Sequence, residues 1–195
     1  MPNPKKVVSK QNETEKNRKS IIRQSDIPSC SIEEALKISN AIADQYAYKP
    51  VTPLKVAAAL NVQPTTGTFR MLCGASSAYG LTKGSYNSEL IELDELGLKI
   101  VKPLEEDSEL LAKREALLKP RITREFLTKY AGAAIPRNEI AMNILHEFGV
   151  PKDRCEDVLK LIMDGAETVG FIQTIGEKKY ITLEGTSPLV KKPIV

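Results

Sequence analysis

Two short clusters of polar residues concentrate the chemistry that this chain of 195 residues offers. Thr65, Thr66, Thr68 and Arg70 form the first; Lys83, Ser85, Tyr86 and Asn87 form the second. Hydroxyls and backbone N–H groups of this kind position phosphate oxygens, while an arginine reads a base edge. The pattern points to nucleic-acid contact rather than bond-making. Charge works against it: between Gln63 and Asn87 only Arg70 and Lys83 are cationic, and Glu89 and Glu92 follow. Neutralising ~6–10 phosphates takes a matching set of cations. A polar helix start is also ordinary capping chemistry.

Catalysis finds little support. His146 is the single histidine, and Cys30, Cys73 and Cys155 are far apart with no CxxC spacing. Neither a zinc site nor a disulfide framework is expected, and the thiols read as reduced and buried. Gly80-x-x-x-Gly84 leaves a helix for a hairpin, whereas a phosphate loop leads from a strand into a helix. No metal, cofactor or catalytic residue is assigned, and the chain reads as non-enzymatic.

The elements that would carry the two clusters follow from caps and apolar spacing. Ser31 with Glu34 is a capping-box spacing that opens a helix over about 32–46, whose stripe is Ile32, Ala35, Leu36, Ile38, Ser39, Ile42 and Ala43. Pro50 ends it. Thr52-Pro53 starts a short second helix, and Thr65 or Thr66 opens a third carrying Phe69, Leu72, Cys73 and Ser76. Gly80 stops that helix and Leu81 begins a hairpin returning through Glu89–Leu93. The layout then recurs: a helix from Pro136 to Phe148 with Ile140, Ile144, Leu145 and Phe148 inward, a turn at Gly149-Val150-Pro151, a helix from Asp153 to about Val169, and a hairpin closing through Lys179–Leu183. Gly80 to Leu93 and Gly170 to Leu183 are both thirteen positions.

Between the two copies lies the densest basic stretch of the body, Lys113, Arg114, Lys119, Arg121 and Arg124, opposed by Glu115 and Glu125. It is either a track for an acidic partner or a solvated face with local pairs such as Arg121 to Glu125. Residues 1–29 hold seven Lys/Arg against three acids, so they carry more than the net +3 of the whole chain. They read as a disordered basic arm. The expected division is therefore 1–29 arm, 30–103 first unit, 104–186 linker helix and second unit, and 187–195 tail. No run approaches the ~18 apolar residues of a membrane span, and the N-terminus lacks an apolar h-region, which together place the chain in the cytoplasm.

Helix–helix–helix–hairpin is the layout of a winged helix, and the run from Thr65 through Tyr79-Gly80-Leu81-Thr82-Lys83-Gly84 to Leu93-Asp94-Glu95-Leu96-Gly97 resembles that family's third helix, wing and exit. Leu93-Asp94-x-x-Gly97 is similar to the Leu-Thr-x-x-Gly exit of winged-helix regulators, with Asp in place of Thr. The resemblance covers about residues 31–185 and implies a mainly α fold with small antiparallel β-wings (α+β), two units in tandem. The Phe69-Arg70…Tyr79-Gly80-Leu81-Thr82-Lys83-Gly84-Ser85-Tyr86 run is also similar to N-terminal halves of prokaryotic proteins with a TIR-like nucleotide-binding domain, a domain this sequence does not contain. Two functions follow. One is a regulatory module binding duplex DNA through the first unit and the arm. The other is a protein-interaction or sensor module of such an effector, with no DNA contact. The helix before the second hairpin holds Asp153, Glu156, Asp157, Asp164 and Glu167 against Lys152, Arg154 and Lys160, so that unit is expected to self-associate or meet a protein partner rather than phosphate.

Overall fold

Helix terminators divide this chain before its core does. The computed structural model describes residue 23 and residues 25–183. The chain runs α1 (Ile32–Tyr46), α2 (Pro53–Ala59), α3 (Gly67–Ala78), β1 (Thr82–Lys83), β2 (Glu92–Leu93), α4 (Glu95–Val101), α5 (Ser108–Leu117), α6 (Arg121–Lys129), α7 (Asn138–Glu147), α8 (Cys155–Thr168), β3 (Ile172–Ile175) and β4 (Lys178–Ile181). A single 3-10 turn, Lys152–Arg154, leads into α8. The architecture is mainly α with two small antiparallel strand pairs.

Starts and stops lie where the side chains direct them. Ser31 Oγ accepts from Glu34 N, Thr66 Oγ1 from Phe69 N and Asp94 Oδ1 from Glu95 N, so three helices begin on capping oxygens. Thr52 makes no such bond, and Pro53 alone marks the start of α2. Both third helices end alike. Leu81 N donates to Ser76 O and Gly80 N to Ser77 O; Phe171 N donates to Ala166 O and Gly170 N to Glu167 O. This paired closure requires a left-handed residue, and Gly80 (φ 69°) and Gly170 (φ 72°) supply it without a Cβ clash. The turns before α3 and α8 are closed the same way, by Val62 N to Ala57 O and by Val150 N to Leu145 O. The repeat is thus a repeat of hydrogen-bonded terminators.

Each hairpin borrows a third segment from upstream. Thr82 pairs with Leu93 and Lys83 with Glu92, while Val51 and Ile91 exchange both backbone bonds. Ile172 to Ile175 pair with Ile181 to Lys178, and Ala131 and Ala134 bridge to Ile181 and Tyr180. The first pair is shorter than the return over Glu89–Leu93 read from the sequence. Ile91 turns its backbone to Val51 instead, and Glu89 and Leu90 belong to the loop.

One buried cluster extends from Ile27 through Phe69, Leu117 and Phe126 to Phe171 and Ile181. It crosses residues 103–104, because α5 packs along α4 and also reaches the end of α8. Order begins before residue 30. Ile27 and Pro28 are buried, Ile122 N donates to Asp26 O, and Arg121 binds the Asp26 carboxylate at 3.0 Å. That hydrogen bond holds the Asp26 carboxyl below its ordinary range. The last residues assigned to the arm are therefore part of the body; residues 1–22 and 24, like 184–195, lie outside the described residues. Tyr79 adds a second tie, its hydroxyl donating to Cys30 O at 3.1 Å. In α7 the inward face is Ala141 and Leu145, with Ile144 and Phe148 half-buried and Ile140 exposed. Ile140 lies one residue before Ala141, and the smaller side chain takes the inward position.

Candidate nucleic-acid interface

Phe69 sets the orientation of α3. Its ring is fully buried with Leu72, Cys73, Ala75 and Ser76, which turns Thr68 and Arg70 outward. Thr65 and Gly67 are exposed beside them. Thr66 is also exposed, but its hydroxyl is engaged locally, donating to Gln63 O at 2.8 Å and accepting from Phe69 N at 3.4 Å. It shapes the turn rather than offering a free phosphate contact.

The loop between β1 and β2 is pinned at its base. Ser85 N donates to Ser88 Oγ at 2.8 Å and Ser88 N to Ser85 O at 3.1 Å, leaving Tyr86 and Asn87 exposed at the tip. Gly84 lets the loop close, since a Cβ there would stand 2.3 Å from Leu90 O. Arg70 and Tyr86 then meet: the guanidinium carbon lies 4.8 Å from the ring centre. A stack of this kind is worth about 0.5–1 kcal/mol at an exposed site. It joins helix and loop into one surface, although the two residues belong to separate sequence clusters. Lys83 is half-committed elsewhere, 3.3 Å from Asp94, in an exposed pair of little energetic weight.

The second basic stretch does not form one exposed patch. Arg114 is buried, its Nε donating to Val169 O at 2.9 Å and its guanidinium 5.7 Å from the Phe171 ring centre. Arg121 spans Asp26, Glu125 and Phe148 O. Arg124 donates to Leu118 O and Lys119 O, closing the end of α5. Lys113 and Lys119 pair with Glu109 and Glu115 one turn back. Arg114 and Arg121 are tied into the fold, while Lys119 and Arg124 stay exposed with local partners only. Asp153 in the 3-10 turn and Glu156, Asp157, Asp164 and Glu167 on α8 are all exposed, and Lys179 pairs with Glu167 at 3.3 Å.

His146 sits at the end of α7 with Nδ1 2.9 Å from Val150 O, holding the turn that Gly149 and Val150 close. That structural role carries no sequence signature. Among the described residues no group of three His, Cys, Asp or Glu side chains is placed to hold a metal ion. Likewise no helix among them is long and apolar enough to cross a membrane. Burial pushes the Cys30 and Cys73 thiols up to about 12 and raises that of Cys155 as well. Thiolate is the reactive form, so none of the three should be modified by a disulfide reagent at pH 8 in the native protein. All three should react once it is unfolded in concentrated guanidinium chloride. A fast native reaction at any of them would place that cysteine in an accessible, electropositive setting instead.

Compared with protein-family models, with curated proteins and with solved structures, the chain matches none of them.

Proposed function

We propose that the chain is a non-enzymatic regulatory module of two winged-helix units in tandem, and that the first unit binds duplex DNA. Helix α3 enters the major groove, Arg70 reads a base edge, and the loop carrying Lys83, Ser85, Tyr86 and Asn87 lies along the backbone. The basic residues of the N-terminal segment add phosphate contacts. The observation that carries this reading is the Arg70–Tyr86 contact, which brings the helix and the loop together on one exposed surface. The second unit supports the first through the shared core and supplies a protein-facing surface.

The test is fluorescence anisotropy of the full chain with a mixed-sequence duplex over a range of salt. Log affinity should fall linearly with log salt. Arg70→Ala should cost about 1–3 kcal/mol of binding, and Lys83→Ala should reduce the salt slope by about 1. Asp94→Asn keeps a cap for α4 while releasing Lys83, so it should bind more tightly. Absence of salt-sensitive binding overturns the DNA reading.

A second reading is favoured by the exposed acidic side of α8 together with Ile140 and Ile175, which are 51% and 62% exposed. In it the chain is a protein-interaction or sensor module, of the kind attached to a TIR-like effector, and does not touch DNA. Concentration-dependent self-association lost in an Ile140→Lys, Ile175→Lys double variant, with no DNA binding, is the outcome that supports it.

A further inference from the structure

On the side of the first unit formed by α1, α4 and the start of α5 lies a cleft of about 690 Å³. That is the size of a site for a small organic molecule. Its walls are apolar: Tyr48, Leu98 and Leu104 line it and are 41%, 43% and 85% exposed, an unusual density of large apolar groups left open to water.

Its charged groups balance, Lys99 and Lys102 against Glu95 and Glu105, but they are not equally engaged. Ser108, the first residue of α5, lines the cleft, and its hydroxyl is buried with no hydrogen-bond partner among the described residues. A buried unpaired hydroxyl of this kind requires an explanation, because leaving it so costs about 1–3 kcal/mol. The residue before it, Asp107, makes no side-chain cap, so the first turn of α5 has no side-chain acceptor either. Lys102 also lines the cleft, with its ammonium 5.3 Å from the Tyr48 ring centre and no carboxylate partner among the described residues. The other lysine of the lining, Lys99, is neutralised by Glu95 at 2.7 Å. Glu105 is the one remaining acid of the lining.

We propose that this cleft binds a small amphipathic carboxylate. The apolar chain lies along Tyr48, Leu98 and Leu104; the carboxylate takes the Lys102 ammonium and the uncapped first turn of α5, and rotation of Ser108 about χ1 brings its buried hydroxyl to it. An apolar enclosure accounts for the exposed side chains, and an anionic head accounts for a lysine without a carboxylate, a hydroxyl without a partner and a helix start without a side-chain cap. Glu105 opposes the anion and limits the affinity. This site is separate from the α3 face and does not depend on the DNA reading.

The probe is octanoate, titrated into the full-length protein by calorimetry at pH 7 and below its micellar concentration. Octanol supplies the same chain without charge, and acetate the charge without the chain. Octanoate should bind saturably, octanol about tenfold more weakly, and acetate not at all. Lys102→Met should weaken octanoate about tenfold, Ser108→Ala should weaken it severalfold, and Glu105→Gln should tighten it. Lys102 and Glu105 are surface side chains, so both variants should keep the native circular dichroism. The proposal is overturned if octanoate shows no saturable binding or if octanol binds as tightly. It is equally overturned if the Lys102 and Glu105 variants leave octanoate affinity unchanged.

Discussion

Replacing Gly97 by alanine is expected to destabilise the protein by about 3 kcal/mol, the upper end of what overpacking costs. By helix propensity alone the sign would be opposite, since alanine is favoured over glycine inside a helix by up to about 1 kcal/mol. Packing decides the matter. A Cβ at Gly97 would stand 2.0 Å from the carbonyl oxygen of Leu81 and 2.9 Å from its carbonyl carbon. These are backbone atoms, and they are held on both sides: Leu81 N donates to Ser76 O, and Leu81 O accepts from Asp94 N at 2.9 Å. No side chain can swing aside to make room. Relief requires α4 to move off the first hairpin, which would uncover Leu96 and Ile100 on the buried side of α4. The melting temperature should fall by roughly 6–12 °C for a chain of this length. Gly67→Ala is the control, because nothing lies within 4 Å of a Cβ there, and it should be neutral or slightly stabilising. Equal melting temperatures for the two variants would show that the Gly97–Leu81 contact is looser than described.

Gly97 also shows which parts of this fold are legible in the sequence. The exit Leu93-Asp94-x-x-Gly97 stands out as a pattern, and its physical content is a cap on α4 followed by a close approach of backbone to backbone. Ser31, Pro53, Thr66, Gly80 and Gly170 are legible for the same reason. Each acts within four or five residues of itself, so its effect is encoded locally. The features that sequence reading misplaces are those decided by distant partners. Asp26 joins the body because Arg121 and Ile122 meet it there. Ile140 faces outward because Ala141, not Ile140, is packed inward in α7.

The candidate interface divides along the same line. That α3 starts near Thr66 and presents Thr68 and Arg70 follows from the cap and from Phe69. The meeting of Arg70 with Tyr86 does not follow, because it depends on how the loop after Gly84 folds back. Charge is the least legible property of all. Lys83 counts as a cation in the sequence, yet Asp94 stands 3.3 Å from it. Counting basic residues therefore overstates what this surface offers to phosphate.

Arg114 carries that contrast furthest, and its replacement is the second change expected to have a large effect. By composition it belongs with Lys113 in a charged, solvent-facing helix; in the fold it is 9% exposed. Arg114 is the side chain of α5 that reaches the end of α8, where its Nε meets Val169 O and its guanidinium faces Phe171. Arg114→Ala removes the donor from a buried carbonyl, which costs about 1–3 kcal/mol. Loss of the desolvated cation–π contact adds up to about 2 kcal/mol. A total near 3–4 kcal/mol is expected in urea unfolding, as a lower midpoint with an unchanged slope. Arg114→Met keeps the aliphatic stem beside Phe171 and should recover part of the packing but not the carbonyl bond. Lys113→Ala, one position away, loses only an i,i+4 pair with Glu109 and should cost no more than about 0.5 kcal/mol. If both alanine variants unfold at the same denaturant concentration, Arg114 is solvated and the two repeats are joined through α5 by apolar contacts alone. If they differ as expected, a guanidinium read from the sequence as part of a binding patch is the polar link that ties the linker helix to the end of α8.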